Sequence, residues 1–199
     1  MFRVSAIAVA VVVSVCPAAS AQTGYAIDSG SFIVGGGIRF TSFGGDANQE
    51  RITLVAVNPI VQYFVVPHLA LGGAFDVRHV SGSELENRAS TSTIGIGPRV
   101  GYYFGHSGWR VYPFVAGTVF VSRFIINELS VPQLGTLDPP DRTIVDLQPS
   151  GGAAFMISKN VAITGEVFYR LNFTEFEGES ERVDANEFGL RFGVAAFVY

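Results

Sequence analysis

Val161-Ala-Ile-Thr-Gly-Glu-Val-Phe-Tyr-Arg-Leu-Asn-Phe173 decides the fold. Val161, Ile163, Gly165, Val167, Tyr169, Leu171 and Phe173 fall in one phase. Thr164, Glu166, Phe168, Arg170 and Asn172 fall in the other. A period of two over this length predicts a strand whose two faces see different surroundings. Glu166 and Arg170 bar hydrocarbon from one side, because a charge in hydrocarbon is costly. The other side is apolar throughout.

The same rhythm spreads in both directions. Strands are predicted over Ser31–Phe43, Ile52–Val65, Leu69–Val80, Thr93–Phe104, Trp109–Ser122, Thr143–Ile157 and Glu187–Tyr199. Long polar joints follow the odd strands: Gly44–Arg51, Ser81–Thr91, Arg123–Arg142 and Glu175–Asn186. Short ones follow the even strands, at Pro67-His68, Gly105-His106-Ser107-Gly108 and Ser158-Lys159-Asn160. A closed antiparallel barrel in an outer membrane has this asymmetry, with short periplasmic turns and longer outside loops. The expected fold is therefore all-β, an eight-stranded antiparallel up-and-down transmembrane β-barrel with both termini periplasmic.

Composition agrees. Arg3, the apolar run Val4–Cys16 and Ala19-Ser20-Ala21 form a secretory signal, residues 1–21, which leaves one barrel domain, 22–199. The apolar run is too short for the ~20 residues of a spanning helix. Cys16 goes with the signal, so no disulfide or thiolate metal site is expected. Dropping Arg3 from the 13 basic residues leaves 12 against 17 acidic ones, a net charge of −5. No basic patch suggests nucleic acid. Apolar content without long apolar runs is what a barrel's lipid face produces.

The polar faces carry Arg39, Asp76, Arg78, Arg99, Asp146, Glu166, Arg170, Glu187 and Arg191. Five positive and four negative charges at mid-strand must point inward, into a lumen that eight strands make just wide enough for side chains. Their near balance predicts an interlocked Arg–carboxylate network. Tyr63, Tyr102, Tyr103, Trp109 and Tyr199 are expected to form the periplasmic aromatic girdle. Pro59, Pro98, Pro113 and Pro149 lie within strands and are expected at bulges or strand ends, since proline removes a ladder donor. With Glu187 and Arg191 inward, Phe197 and Tyr199 also face inward, unless a bulge near Ala195-Ala196 resets the phase.

Asn58-Pro-Ile-Val-Gln-Tyr-Phe-Val-Val-Pro-His-Leu-Ala-Leu-Gly72 resembles the second hairpin of small outer-membrane β-barrel proteins of the OmpA/OmpX-like superfamily. So do Gly97-Pro-Arg-Val-Gly-Tyr-Tyr-Phe104, Tyr112-Pro-Phe114 and Ser158-Lys-Asn-Val-Ala-Ile-Thr-Gly-Glu-Val-Phe-Tyr169. Phe197-Val198-Tyr199 looks like the C-terminal signal that the barrel-assembly machinery reads. The resemblance implies outer-membrane lipid and lipopolysaccharide as surroundings. It also implies one of several roles: membrane–wall link, adhesin, serum-resistance factor or narrow pore. With no wall-binding domain after Tyr199, a peptidoglycan anchor is not expected.

Chemistry is sparse. His79-Val80-Ser81 is similar to the His-x-Ser pair of barrel lipid A deacylases, with Glu84 or Glu86 as the orienting carboxylate. The competing reading is a rim histidine among head groups. Glu175, Glu177, Glu179, Glu181 and Asp184 suit shared divalent cations or, more simply, a solvated loop. Phe124, Ile125, Ile126, Leu129, Val131, Leu134 and Leu137 exceed what solubility needs. Loops 123–142 and 174–186 are therefore the expected places for an extracellular ligand. Gly35-Gly36-Gly37 lacks the strand–helix context of a phosphate loop. Three scattered histidines make no metal site, and no cofactor is expected. The expected role is structural or surface interaction without catalysis. The rivals are a narrow pore, the deacylase, and a soluble periplasmic barrel holding an apolar ligand.

On SDS gels the unboiled, membrane-extracted protein is expected to run faster than the boiled one. Unchanged mobility, with the protein in the soluble periplasmic fraction, would mean that the inside and outside faces are reversed.

Overall fold

In the computed structural model, residues 26–43, 51–83, 88–106, 108–129, 143–176 and 179–199 are described. The expected signal at 1–21 lies outside them. Eight strands follow one another: β1 Phe32–Phe43, β2 Arg51–Val66, β3 Leu69–Ser83, β4 Arg88–Tyr103, β5 Val111–Leu129, β6 Thr143–Met156, β7 Val161–Phe176 and β8 Glu179–Val198. Each pairs antiparallel with the next, and β8 returns to β1, closing the barrel. Closure satisfies the backbone from strand to strand and leaves no free edge strand, as hydrocarbon demands.

The strands run further than their alternation suggested at the long-loop end. β3 and β4 leave only 84–87 between them, and β7 and β8 only 177–178. The expected loop at 174–186 is thus mostly strand, with Phe176 opposite Glu179 and Thr174 opposite Val183. Polar residues there hid the strands from a search for alternation, because charge excludes lipid without preventing backbone pairing. β5 likewise continues to Leu129, so the joint at 123–142 shrinks to 130–142, outside the described residues.

Three prolines do not sit at bulges or strand ends. Pro59, Pro98 and Pro149 stand mid-strand on the outer face, each opposite a glycine of the preceding strand: Gly36, Gly73 and Gly117. On the other side the ladder is interrupted without a shift of register, between Val57↔Val77 and Ile60↔Ala74, Ile96↔Val121 and Arg99↔Thr118, and Leu147↔Leu171 and Ser150↔Phe168. The missing proline donor therefore faces the following strand. Toward the preceding strand the pair is the close, non-hydrogen-bonded kind, where side chains crowd and glycine gives room. At the first gap the Asn58 side-chain amide donates to the Phe75 carbonyl, which lacks a donor from Pro59. Pro113, third residue of β5, does lie near a strand end. In the fourth hairpin Phe192 takes the proline's place opposite Gly165, and its ring covers that glycine.

The short turns are tied together by side chains. His68 holds a left-handed φ of 73° between β2 and β3. Its Nδ1–H donates to the Tyr103 carbonyl at 3.0 Å, and its backbone N–H donates to Ile27 O at 2.9 Å. In the β6–β7 turn, Ser158 Oγ accepts from the Val161 N–H, and Asn160 Nδ2 donates to Phe197 O.

No bulge resets β8 at Ala195-Ala196; its register with β1 and β7 runs through unbroken. Phe197 points into the lumen and is fully buried. It belongs to an apolar layer with Ile33, Phe64, Tyr103, Tyr112 and Phe114 at the short-turn end. Ala26 and Ile27, ahead of β1, complete that layer and close the barrel's mouth.

Gly189 lies against the inward ring of Phe168, which a Cβ would strike, whereas at Gly165 the nearest atom to an added Cβ is 3.7 Å away. Gly189→Val is expected to lower stability by about 1–3 kcal/mol through overpacking, and Gly165→Ala to be nearly neutral. Urea titration of the unboiled, fast-migrating gel band checks both.

Candidate functional site

Strand phase determines what fills the lumen above the apolar layer. Arg39 on β1, Asp76 and Arg78 on β3, Arg99 on β4, Asp146 on β6, Glu166 and Arg170 on β7, and Glu187 and Arg191 on β8 all project inward. They form two linked groups. Glu166 receives Arg99 at 3.0 Å and Arg191 at 3.4 Å. Asp76 receives Arg78 at 2.8 Å and Arg170 at 2.9 Å, and Asp146 receives Arg78 at 3.2 Å. Arg39 pairs with Glu187 across the closing strands, and Arg170 reaches the same carboxylate at 4.0 Å.

Neutral groups complete the layer. Arg99 donates to Thr118 Oγ1, Arg170 to Gln148 Oε1 and Arg191 to Asn58 Oδ1. Two aromatic rings missed as functional parts by the sequence reading serve as supports. The guanidiniums of Arg39 and Arg191 both lie over Phe168, 5.0 and 4.9 Å from its centroid, and Arg170 lies over Phe120. Such cation–π contacts strengthen where water is excluded. Phe168 carried a usable signal, an aromatic in the charged phase of β7.

Between the charged and apolar layers lies an internal cavity of about 20 Å³, touched by Asn58, Arg99, Tyr103, Glu166 and Arg191. That is room for about one water. Tyr103 is not part of the girdle: it is 3% exposed, points into the lumen and donates to Gln62 Oε1. Its neighbour Tyr102 takes the outer face, and period two forces the two apart. Tyr199 also leaves the girdle, following Phe197 inward, with its hydroxyl donating to Lys159 O. Tyr63, Tyr102 and Trp109 remain on the outer surface, with the Phe32 ring tilted 49° against Tyr63 and Phe104 edge-on to Tyr102.

At the long-loop end of the outer face, His79 Nδ1 lies 3.1 Å from Ser92 Oγ. Ser92 is its direct partner on β4. Ser81, two residues along β3, is not the hydroxyl it meets, because cross-strand neighbours come closer than i, i+2 residues of one strand. Glu84 and Glu86 lie outside the described residues, as do the side chains of the acidic and apolar loop residues. Among the described residues no group of His, Cys, Asp and Glu could hold a metal ion.

Residues 6–195 match the family model described as outer membrane protein beta-barrel domain. Among solved structures, the outer membrane protein OprG of Pseudomonas aeruginosa is similar, with a TM-score of 0.61 and 12% identity, covering 88% of this chain and all of that one. Neisserial surface protein A aligns with a TM-score of 0.48 and 16% identity, over 83% of this chain and 94% of that one. No curated protein matches the sequence.

Glu166→Gln leaves Arg99 and Arg191 without their carboxylate and is expected to cost about 3–5 kcal/mol. Glu187→Gln is expected to cost less, since that side chain is 28% exposed and water replaces the lost partner. Paired urea midpoints of the two variants measure the difference.

Proposed function

The chain belongs to the outer membrane protein beta-barrel domain family, and from that premise we propose that it acts through its outer ends, as a structural and surface-interaction barrel without catalysis. It resides in the outer membrane of a Gram-negative cell, short turns toward the periplasm and long joints outside. Outer-membrane lipid and lipopolysaccharide surround it in this reading, and the barrel-assembly machinery inserts it. Residues 1–21 are its export signal.

The observation that carries the proposal is the filling of the lumen. A conducting pore needs a continuous wet path. Here paired charges occupy the outer layer, and Ile27, Phe64, Phe114 and Phe197 occlude the periplasmic one. What is left for function is the outer end. β5 and β8 continue past the apolar belt, to Leu129 and back to Glu179. At about 3.3 Å per residue that carries the ends of these two strands beyond the lipid-facing part of the wall. An extracellular ligand of that joint, or of the β7–β8 hairpin tip, is the partner this geometry favours. The deacylase reading has less support, because the hydroxyl beside His79 is that of Ser92 and not of Ser81.

In planar bilayers the purified protein is expected to show no steady single-channel conductance, and excision of 130–142 is expected to leave the heat-modifiable barrel intact. Steady channels in the wild-type protein would overturn the proposal.

A further inference from the structure

We propose that the periplasmic rim around β5, β6 and the β6–β7 turn is a binding site for the anionic head group of an inner-leaflet phospholipid. An open cleft of about 670 Å³ lies there, with Trp109, Arg110, Tyr112, Met156, Ile157 and Lys159 on its walls. This is the size range of sites that take small organic ligands. Arg110 is held opposite Met156 by the Met156 N–H to Arg110 O bond of 2.7 Å, three residues before Lys159.

Charge singles this cleft out. Each of the five luminal arginines has a carboxylate partner. Arg110 and Lys159 are exposed, and neither forms an ion pair with a carboxylate among the described residues. No Asp or Glu side chain lines the cleft, and the terminal carboxylate of Tyr199 is one negative charge against its two cations. In a chain whose net charge is negative, general attraction does not favour anionic lipid, so two unpaired cations on one cleft make a local preference.

The apolar walls identify the ligand as a lipid rather than a free phosphate. Trp109 and Ile157, 43% and 64% exposed, continue the outward phase of Val111 and Phe155. The cleft therefore opens onto the lipid face on one side and onto the barrel mouth at Tyr112 on the other. Acyl chains lie along the outer wall while the phosphate turns over the rim to Arg110 and Lys159. Basic side chains close to an anionic lipid surface each add attraction, and two give an expected preference of roughly tenfold or more.

Trp109 is the single tryptophan of the chain, so its fluorescence reports this cleft alone. The folded full-length protein is reconstituted in phosphatidylcholine vesicles. They contain equal fractions of phosphatidylglycerol or phosphatidylcholine brominated close to the ester linkage. Brominated phosphatidylglycerol is expected to quench Trp109 more strongly, matching roughly tenfold tighter binding. The Arg110→Gln/Lys159→Gln double variant, verified as folded by its gel shift, is expected to lose the preference. Arg123→Gln, at the opposite rim, is expected to keep it. Equal quenching in the wild-type protein overturns the proposal. A preference that survives the double variant overturns it too. Loss of the preference on adding glycerol phosphate would assign the cleft to a soluble phosphate instead.

Discussion

A backbone N–H or C=O left unpaired in hydrocarbon costs several kcal/mol, and a charge there costs more. Both penalties act on the outer surface of this wall, and together they determine its inside. Every strand must find two neighbours, so the sheet closes. Every charged side chain at mid-strand must turn inward, so the lumen fills with guanidiniums and carboxylates. Eight strands leave so little room that the charges meet one another rather than water. The ion pairs follow from an exclusion on the far side of the sheet. Buried pairs add little stability beyond well-packed apolar side chains of the same volume. Their contribution here is orientation, since a wall turned inside out would place nine charges in lipid.

The lumen is layered along its axis. Arg and carboxylate groups occupy the outer part, and aliphatic and aromatic side chains occupy the periplasmic part. The segment that carries Ile27 lies across the periplasmic mouth, held by the backbone N–H of His68 and by the Gly30 N–H to Phe64 O bond. Glycine distribution serves the same packing. Gly37 makes way for the stem of Arg191, and Gly189 for the ring of Phe168. On the outer face, Gly36, Gly73, Gly117 and Gly165 stand opposite Pro59, Pro98, Pro149 and Phe192, one pair in each hairpin. The barrel is thus built of four variations on one hairpin.

Most of this wall was legible in the sequence, because period two depends only on local geometry. Val161–Phe173 alone separates a lipid face from a polar one. Partners were less legible. Whether Arg99 meets Glu166 or Asp146 depends on stagger between strands far apart in the chain, which periodicity does not encode. The His-x-Ser resemblance sets His79 with Ser81, whereas strand register puts Ser92 beside it. A place at the periplasmic strand ends suggests the girdle for Tyr103 and Tyr199, whereas strand phase turns both inward, and for Tyr199 that phase is already readable in the sequence. Beyond the membrane the two faces of a strand need not differ: the outer parts of β7 and β8 are mostly polar on both and that of β5 is apolar on both, so none carries an alternation to read. Ile27 belongs to no strand and had no pattern to reveal its burial.

The seam between β1 and β8 is the short one. Its pairing runs from Phe32↔Val198 to Ile38↔Phe192, seven partners, where β1 and β2 share twelve. Beyond Ile38, β1 continues to Phe43 with no backbone partner on β8 among the described residues, and the Arg39–Glu187 ion pair crosses in its place. A cylinder assembled from consecutive hairpins must join its first and last staves, and this joint is its thinnest. At its outward half the cylinder is therefore fastened by side chains, so the Arg39–Glu187 pair has a closing role that no pair within a hairpin carries.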